Sequence, residues 1–217
     1  MTRSAFVRAR RPEHKQQRRE AILGAARELA LASGVRNVSL GAVAEAVGLA
    51  KSNIMRYFGT REEIYLILAA DEWREWGEAI GDRLRDCAGA DEVVAALAET
   101  LTARTLLCDL MSHTTTSLEH NVSVPAARTF KQAVLGVIAE VGTLVSHVTD
   151  LTEGEAVELV SAATGLAGML YPVTHPSPAL AELYAQDPAI AAACPEMMPT
   201  MIRLLSAVAA GLPALRS

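Results

Sequence analysis

Lys51, Ser52, Asn53, Arg56, Tyr57 and Arg61 fall within eleven residues, and Ile54 and Phe58 are interleaved among them. These side chains bind phosphates and base edges. A Lys or Arg donates to guanine, Asn pairs with adenine through two hydrogen bonds, and Ser serves either base. Arg and Tyr near by make the phosphate contacts that fix register without reading sequence. The spacing places Lys51, Ser52 and Asn53 in one helical turn opposite Ile54, so the polar set projects outward when Ile54 is buried.

That turn needs a scaffold. Ser39 is a candidate N-cap for a short helix to Ala46, with Leu40, Val43, Ala44 and Val47 facing inward. Gly48 then supplies a left-handed turn that a β-carbon would penalise, and Ala44 is small where two helices cross. A third helix follows from about Ala50 to Phe58. The pair is a helix–turn–helix, whose second helix enters the major groove with its N-terminal residues toward the bases. Lys51, Ser52, Asn53, Arg56, Tyr57 and Arg61, with Ser39 at the preceding cap, are the expected DNA-binding residues.

Charge supports a local interface. Residues 1–60 hold eleven Lys/Arg against four Glu, a balance of +7; the remainder holds nine basic and 21 acidic residues, or −12. A basic head on an acidic body confines polyanion binding to the head. Residues 1–14 carry four Arg without apolar periodicity and read as a flexible basic arm. Residues 15–60 form the helix–turn–helix domain, its first helix running from Lys15 to the stop at Gly34. Residues 61–217 form a larger helical body.

Within the body, Thr60 and Glu63 predict a capping box opening a helix to about Arg85. A helix starts at Asp91 and continues through Leu110. Ser123 and Pro125 open another to about Val148, and a second capping box, Thr152 and Glu155, opens one to about Leu170. "YPVTHPSP" reads as a loop, Asp187-Pro188 as a helical turn, and residues 196–211 as the last helix. Nothing reads as strand. The uncharged run between Glu158 and Glu182 is broken by prolines and falls short of the roughly 20 apolar residues of a span, so no membrane is expected. No apolar segment follows the Arg-rich N-terminus as in a secretory signal. Cys87, Cys108 and Cys194 match neither a disulfide framework nor a zinc spacing, in keeping with a reducing cytoplasm. No nucleophile–base motif, phosphate loop or metal-ligand set points to an enzyme, a metal or a cofactor.

Residues 19–68, "REAILGAARELALASGVRNVSLGAVAEAVGLAKSNIMRYFGTREEIYLIL", resemble the N-terminal domain of TetR-family transcriptional repressors. The resemblance is carried by Ile22, Ala25, Ala26, Leu29, Gly34, Ser39, Val43, Ala44, Gly48, Ile54, Tyr57, Phe58, Glu62 and Glu63. Three positions depart from the family pattern: Ala50 replaces a capping Ser or Thr, Met55 a phosphate-contacting Tyr, and Arg61 a Lys.

The resemblance implies an all-α chain with an N-terminal three-helix DNA-binding domain and a larger helical ligand-binding and dimerisation domain. It implies a homodimeric repressor that binds double-stranded DNA at a palindromic operator and is released by a small-molecule effector. The alternative is a DNA-binding protein without such a switch, regulated by abundance or a protein partner. Candidate effector-pocket residues are Trp73, Trp76, His113, Thr116, His120, Asn121, Arg128, His147, Met169 and Tyr171. Candidate dimer residues are Leu159, Ala163, Leu166, Ala167, Met169, Leu204, Leu205 and Val208; plain packing within one chain is the competing account of these.

Overall fold

The computed structural model describes residues 3–216, with side chains described from His14 onward. Eleven α-helices follow one another among these residues: α1 (Arg3–Ser33), α2 (Leu40–Ala46), α3 (Lys51–Ile54), α4 (Arg61–Leu84), α5 (Ala90–Thr102), α6 (Thr105–His113), α7 (Val124–Val148), α8 (Glu153–Thr174), α9 (Pro178–Gln186), α10 (Pro188–Ala192) and α11 (Met197–Gly211). No strand occurs among the described residues.

The ends of these helices follow local chemistry. Ser39 accepts from Ala42 N at 3.1 Å, Thr60 from Glu63 N at 3.1 Å and Ser123 from Ala126 N at 3.4 Å. Thr152 and Glu155 form the full reciprocal box. The box at Thr60 is only half made, because Glu63 turns its carboxylate to Gly59 N and Ser123 N. Gly34 closes α1 at φ 83°, donating to Ala30 O at 2.8 Å. Gly48 turns α2 into α3 at φ 64°.

Outside α3, four boundaries differ from expectation. The main chain is helical from Arg3, so the segment read as an irregular arm continues α1; Met1 and Thr2 lie outside the described residues. Ala, Arg, Gln and Glu favour helix there, and no glycine intervenes before Gly24. The helix expected from Asp91 through Leu110 breaks at Ala103–Arg104 into α5 and α6. α8 runs through Pro172 to Thr174, since a proline in the last turn removes one hydrogen bond without ending the helix. Pro178 sits at the N-terminus of α9, where its missing N–H has no partner to lose.

The head is α1 to α3, closed over Ile22, Ala26, Val43, Ala44, Ile54 and Phe58. The body packs α8 against α5, α6, α7 and α11, with α4 lying along α7. The α7–α8 approach is close. A β-carbon on Gly142 would stand 3.2 Å from Val157 N and 3.3 Å from its Cα. By length and mean hydropathy, 1.4, α8 passes as a membrane span, but its apolar stripe is covered by those four helices.

That packing corrects half of the dimer set. Leu159, Ala163, Ala167 and Leu205 have no accessible surface within one chain, so they cannot touch a second. The small-residue face of α8 is turned inward, where close helix approach is needed. Leu166, Leu204 and Val208 keep partial exposure, and Met169 is 60% exposed.

Candidate nucleic-acid interface and body cavity

The turn between α2 and α3 is held by Leu49 N donating to Ala44 O at 2.8 Å and Gly48 N to Glu45 O at 3.0 Å. Ala50 caps α3 without a side-chain hydrogen bond, as its methyl group dictates. Helical geometry ends at Ile54, and turns carry Arg56 and Tyr57 onward; this is shorter than the helix expected to Phe58. Ile54 and Phe58 are buried, and Lys51, Ser52, Asn53, Met55 and Arg56 stand exposed around them.

Two residues join this surface that sequence reasoning passed over. Lys15 and Arg18 on α1 line a shallow basin with Leu49, Asn53, Arg56 and Tyr57. Their spacing of three on one helix was the signal, masked by the density of basic residues in that stretch. None of Lys15, Arg18, Lys51 and Arg56 forms an ion pair among the described residues. Cations held so close without carboxylate partners favour an external polyanion.

Two of the seven expected contact residues are placed otherwise. Arg61 donates through Nε to Val38 O at 2.6 Å and through Nη2 to Val35 O, with Nη1 3.3 Å from Glu62. Its guanidinium stacks over Tyr65 at 4.6 Å. It satisfies one carbonyl in the turn at Val35–Asn37 and one just after it, which leaves little to offer a phosphate. Ser39 is exposed, but its Oγ serves as the α2 cap.

Head and body are tied by polar bonds. Val35 N donates to Asp109 Oδ2 at 2.7 Å in a buried setting, and His113 Nε2 lies 3.4 Å from Asp109 Oδ1. Arg27 pairs with Glu72 and Glu75 on α4. Burial raises the Glu72 carboxyl above its ordinary range, and Arg27 draws it back. Thr60 Oγ1 donates to Asn121 O at 2.8 Å, Asn121 Nδ2 to Glu62 at 3.4 Å, and Ser123 N to Glu63 at 3.0 Å. Ser123 chiefly holds Glu63 below the usual carboxylate value.

A cavity of about 460 Å³ opens in the body between α4, α6, α7 and α8. Trp73, Met111, Phe130, Val134, Ile138 and Met169 form its apolar wall. Ser112, Thr114, Thr115, Ser161, Thr164 and Lys131 supply its polar groups. Thr114 and Thr115 belong to a π-helical turn, Thr114–Leu118, that extends α6. Such turns recur at functional sites.

Of the ten expected pocket residues, Trp73 and Met169 line the cavity. Trp76 is fully buried beside it, edge-on to Trp73 at 5.6 Å, with its N–H on Thr100 Oγ1. His113 faces Asp109, Asn121 ties body to head, and Tyr171 stacks on His175 at 4.1 Å. Thr116, His120, Arg128 and His147 are exposed. The π turn rotates this stretch out of register with α6, so a helical spacing projected from His113 to His120 misassigns the face. No cluster of three metal-ligating side chains occurs among the described residues.

Two family models match the chain in succession. The model for bacterial regulatory proteins of the tetR family matches residues 22–68, and that for the tetracyclin repressor-like C-terminal domain matches residues 70–216. No curated protein matches it in sequence. Among solved structures, it resembles FadR of Thermus thermophilus, a transcriptional repressor in complex with lauroyl-CoA. The TM-score is 0.56 at 14% identity, over 92% of this chain and 96% of that one. A regulator from Mesorhizobium loti gives 0.55 at 15%, over 93% and 97%. RolR in complex with resorcinol gives 0.53 at 16%, over 90% and 96%.

Proposed function

The chain belongs to the TetR family of bacterial regulatory proteins, and on that premise we propose that it is a homodimeric transcriptional repressor, released from a palindromic operator by a small molecule. The observation that carries the reading is the exposed set of Lys51, Ser52, Asn53 and Arg56, flanked by Lys15 and Arg18 and free of acidic partners among the described residues. In this reading Lys51 and Asn53 meet base edges, while Arg56, Lys15 and Arg18 meet phosphates. It acts in the cytoplasm as a regulator rather than an enzyme, and needs no cofactor.

Two recognition helices must reach half-sites about 34–36 Å apart, or a multiple of that, which calls for a second chain. The open apolar residues of α8 and α11, namely Met169, Val173 and Ile202 with the partly open Leu166, Leu204 and Val208, provide a seam for it. Residues 61–217 then serve both dimerisation and effector binding. The body cavity favours a ligand-switched repressor over a switchless one: its wall is mostly apolar with a few polar groups, the makeup typical of ligand sites. An effector must prefer the released conformer, and moving a 1:99 balance to 99:1 takes about 5.5 kcal/mol of differential binding.

Replacing Lys51 or Asn53 by Ala tests the reading. Each change should relax preference at particular base pairs, with a loss of about 1–3 kcal/mol for a bidentate contact. Equal weakening on every sequence contradicts the assigned role.

A further inference from the structure

Among the described residues, Lys131 is the one charged side chain lining the body cavity, and no carboxylate lines it. The hydroxyl protons of four of its five hydroxyl-bearing neighbours, all but Thr115, are already committed. Ser112 donates to Asp109 O, Thr114 to Leu110 O and Ser161 to Val157 O, each at 2.7 Å, and Thr164 donates to Val160 O at 3.1 Å. These four offer a ligand lone pairs, whereas Lys131 offers N–H donors with a full positive charge. The remaining wall is aromatic and aliphatic.

Lys131 Nζ lies 2.7 Å from Glu119 Oε1. That oxygen is sealed from water and has no other partner among the described residues; Lys131 meets it off hydrogen-bonding geometry. The pair is therefore close but imperfect, held by charge more than by a directed bond. Glu119 also stands just before the segment that grips the N-terminus of α4, where the chain leaves the head. Asn121 holds Thr60 and Glu62, and Ser123 holds Glu63, all in the first turn of α4 or at its cap.

We propose that the cavity takes an amphipathic monoanion, a carboxylate on an apolar body, which competes with Glu119 for Lys131 and so loosens the 119–123 segment from α4. The proposal rests on the reading of this cavity as the effector site. An incoming carboxylate can approach the exposed ammonium along its free donors and make the directed bonds that Glu119 lacks. Glu119 is 23% exposed, so once its sealed Oε1 loses the cation the carboxylate gains by turning toward the water already within its reach. Its movement pulls on Asn121 and Ser123, two and four residues on. Cationic ligands meet Lys131 as a like charge.

Calorimetry on the full chain decides the matter. The probes are 4-phenylbutyrate, 4-phenylbutanol and 4-phenylbutylammonium, with octanoate, octanol and octylammonium as a second series. In at least one series the carboxylate should bind about tenfold or more tighter than the alcohol, the worth of a charge-assisted hydrogen bond, with the ammonium weakest. Lys131→Met should abolish that preference and spare the alcohol. Glu119→Gln should strengthen carboxylate binding and weaken DNA binding without ligand, since coupling is reciprocal. Equal affinity for all heads, preference for the ammonium, a carboxylate preference that survives Lys131→Met, or no binding in either series overturns the proposal. Sequence-selective DNA binding by the same preparation separates the two readings. If it persists while the carboxylates fail, only the ligand class is wrong; if it is absent too, the repressor reading falls.

Discussion

Removing the Asp109 carboxylate should detach the head from the body at one identifiable bond. Asp109 Oδ2 accepts from Val35 N at 2.7 Å, and Val35 is 1% exposed, so water cannot replace the lost acceptor. In Asp109→Ala the amide keeps its full desolvation penalty, about 1–3 kcal/mol. Asp109→Asn retains an acceptor of the same shape and should forfeit only the charge-assisted part, about 1 kcal/mol or less. For a chain of this size each kcal/mol moves Tm by about 2–4 °C, so Ala should lower it by about 2–12 °C and Asn by distinctly less. Thermal melts followed by circular dichroism, with both variants in one buffer, give the comparison. Equal losses for Ala and Asn would show that packing, not acceptance from Val35, is the role of Asp109; no loss in either would refute the tie altogether.

Two further expectations separate residues that look alike in sequence. Arg61→Ala should lower Tm, because the Val35 and Val38 carbonyls lose their donor, and leave the salt dependence of DNA binding nearly unchanged. Lys15→Ala or Arg18→Ala should do the reverse, flattening the slope of log K against log[salt] by about 0.9 for each phosphate contact removed. The acid limb of stability should carry the mark of Glu155, whose hydrogen bonds from Arg216 at 2.6 and 2.7 Å hold it down to about 2. A depressed carboxylate contributes stability above its unfolded value and loses it as pH falls through the folded one. Melts of wild type and Glu155→Gln should thus differ most above pH 4.5 and converge toward pH 2; a constant offset would assign the effect to something other than ionisation.

What the sequence disclosed was local. Ser39, Thr60, Ser123 and Thr152 mark helix starts because a cap is decided within four residues. Gly34 and Gly48 mark turns because only glycine sits easily at positive φ. The break between α5 and α6 carries no Gly or Pro, and the prolines near α8 and α9 occupy helix ends that tolerate them. The exposure of the proposed contact set was legible from type and spacing at Lys51, Ser52 and Asn53. That reading failed at Arg61, whose partners lie 23 and 26 residues away. The cavity was least legible, since its wall is assembled from four helices distant in sequence and a π turn shifts the face that α6 presents. The inward stripe of α8 misled for the same reason: small residues permit close approach but do not name the partner.

The central claim is that this head reads sequence as part of a dimer. Selection from a random duplex pool by the purified protein at moderate salt tests it most directly. Enrichment of one palindrome, with half-sites centred about one helical turn or a multiple of it apart, is the predicted result. Persistent binding with no enriched sequence would contradict it, leaving the basic basin as a non-specific clamp.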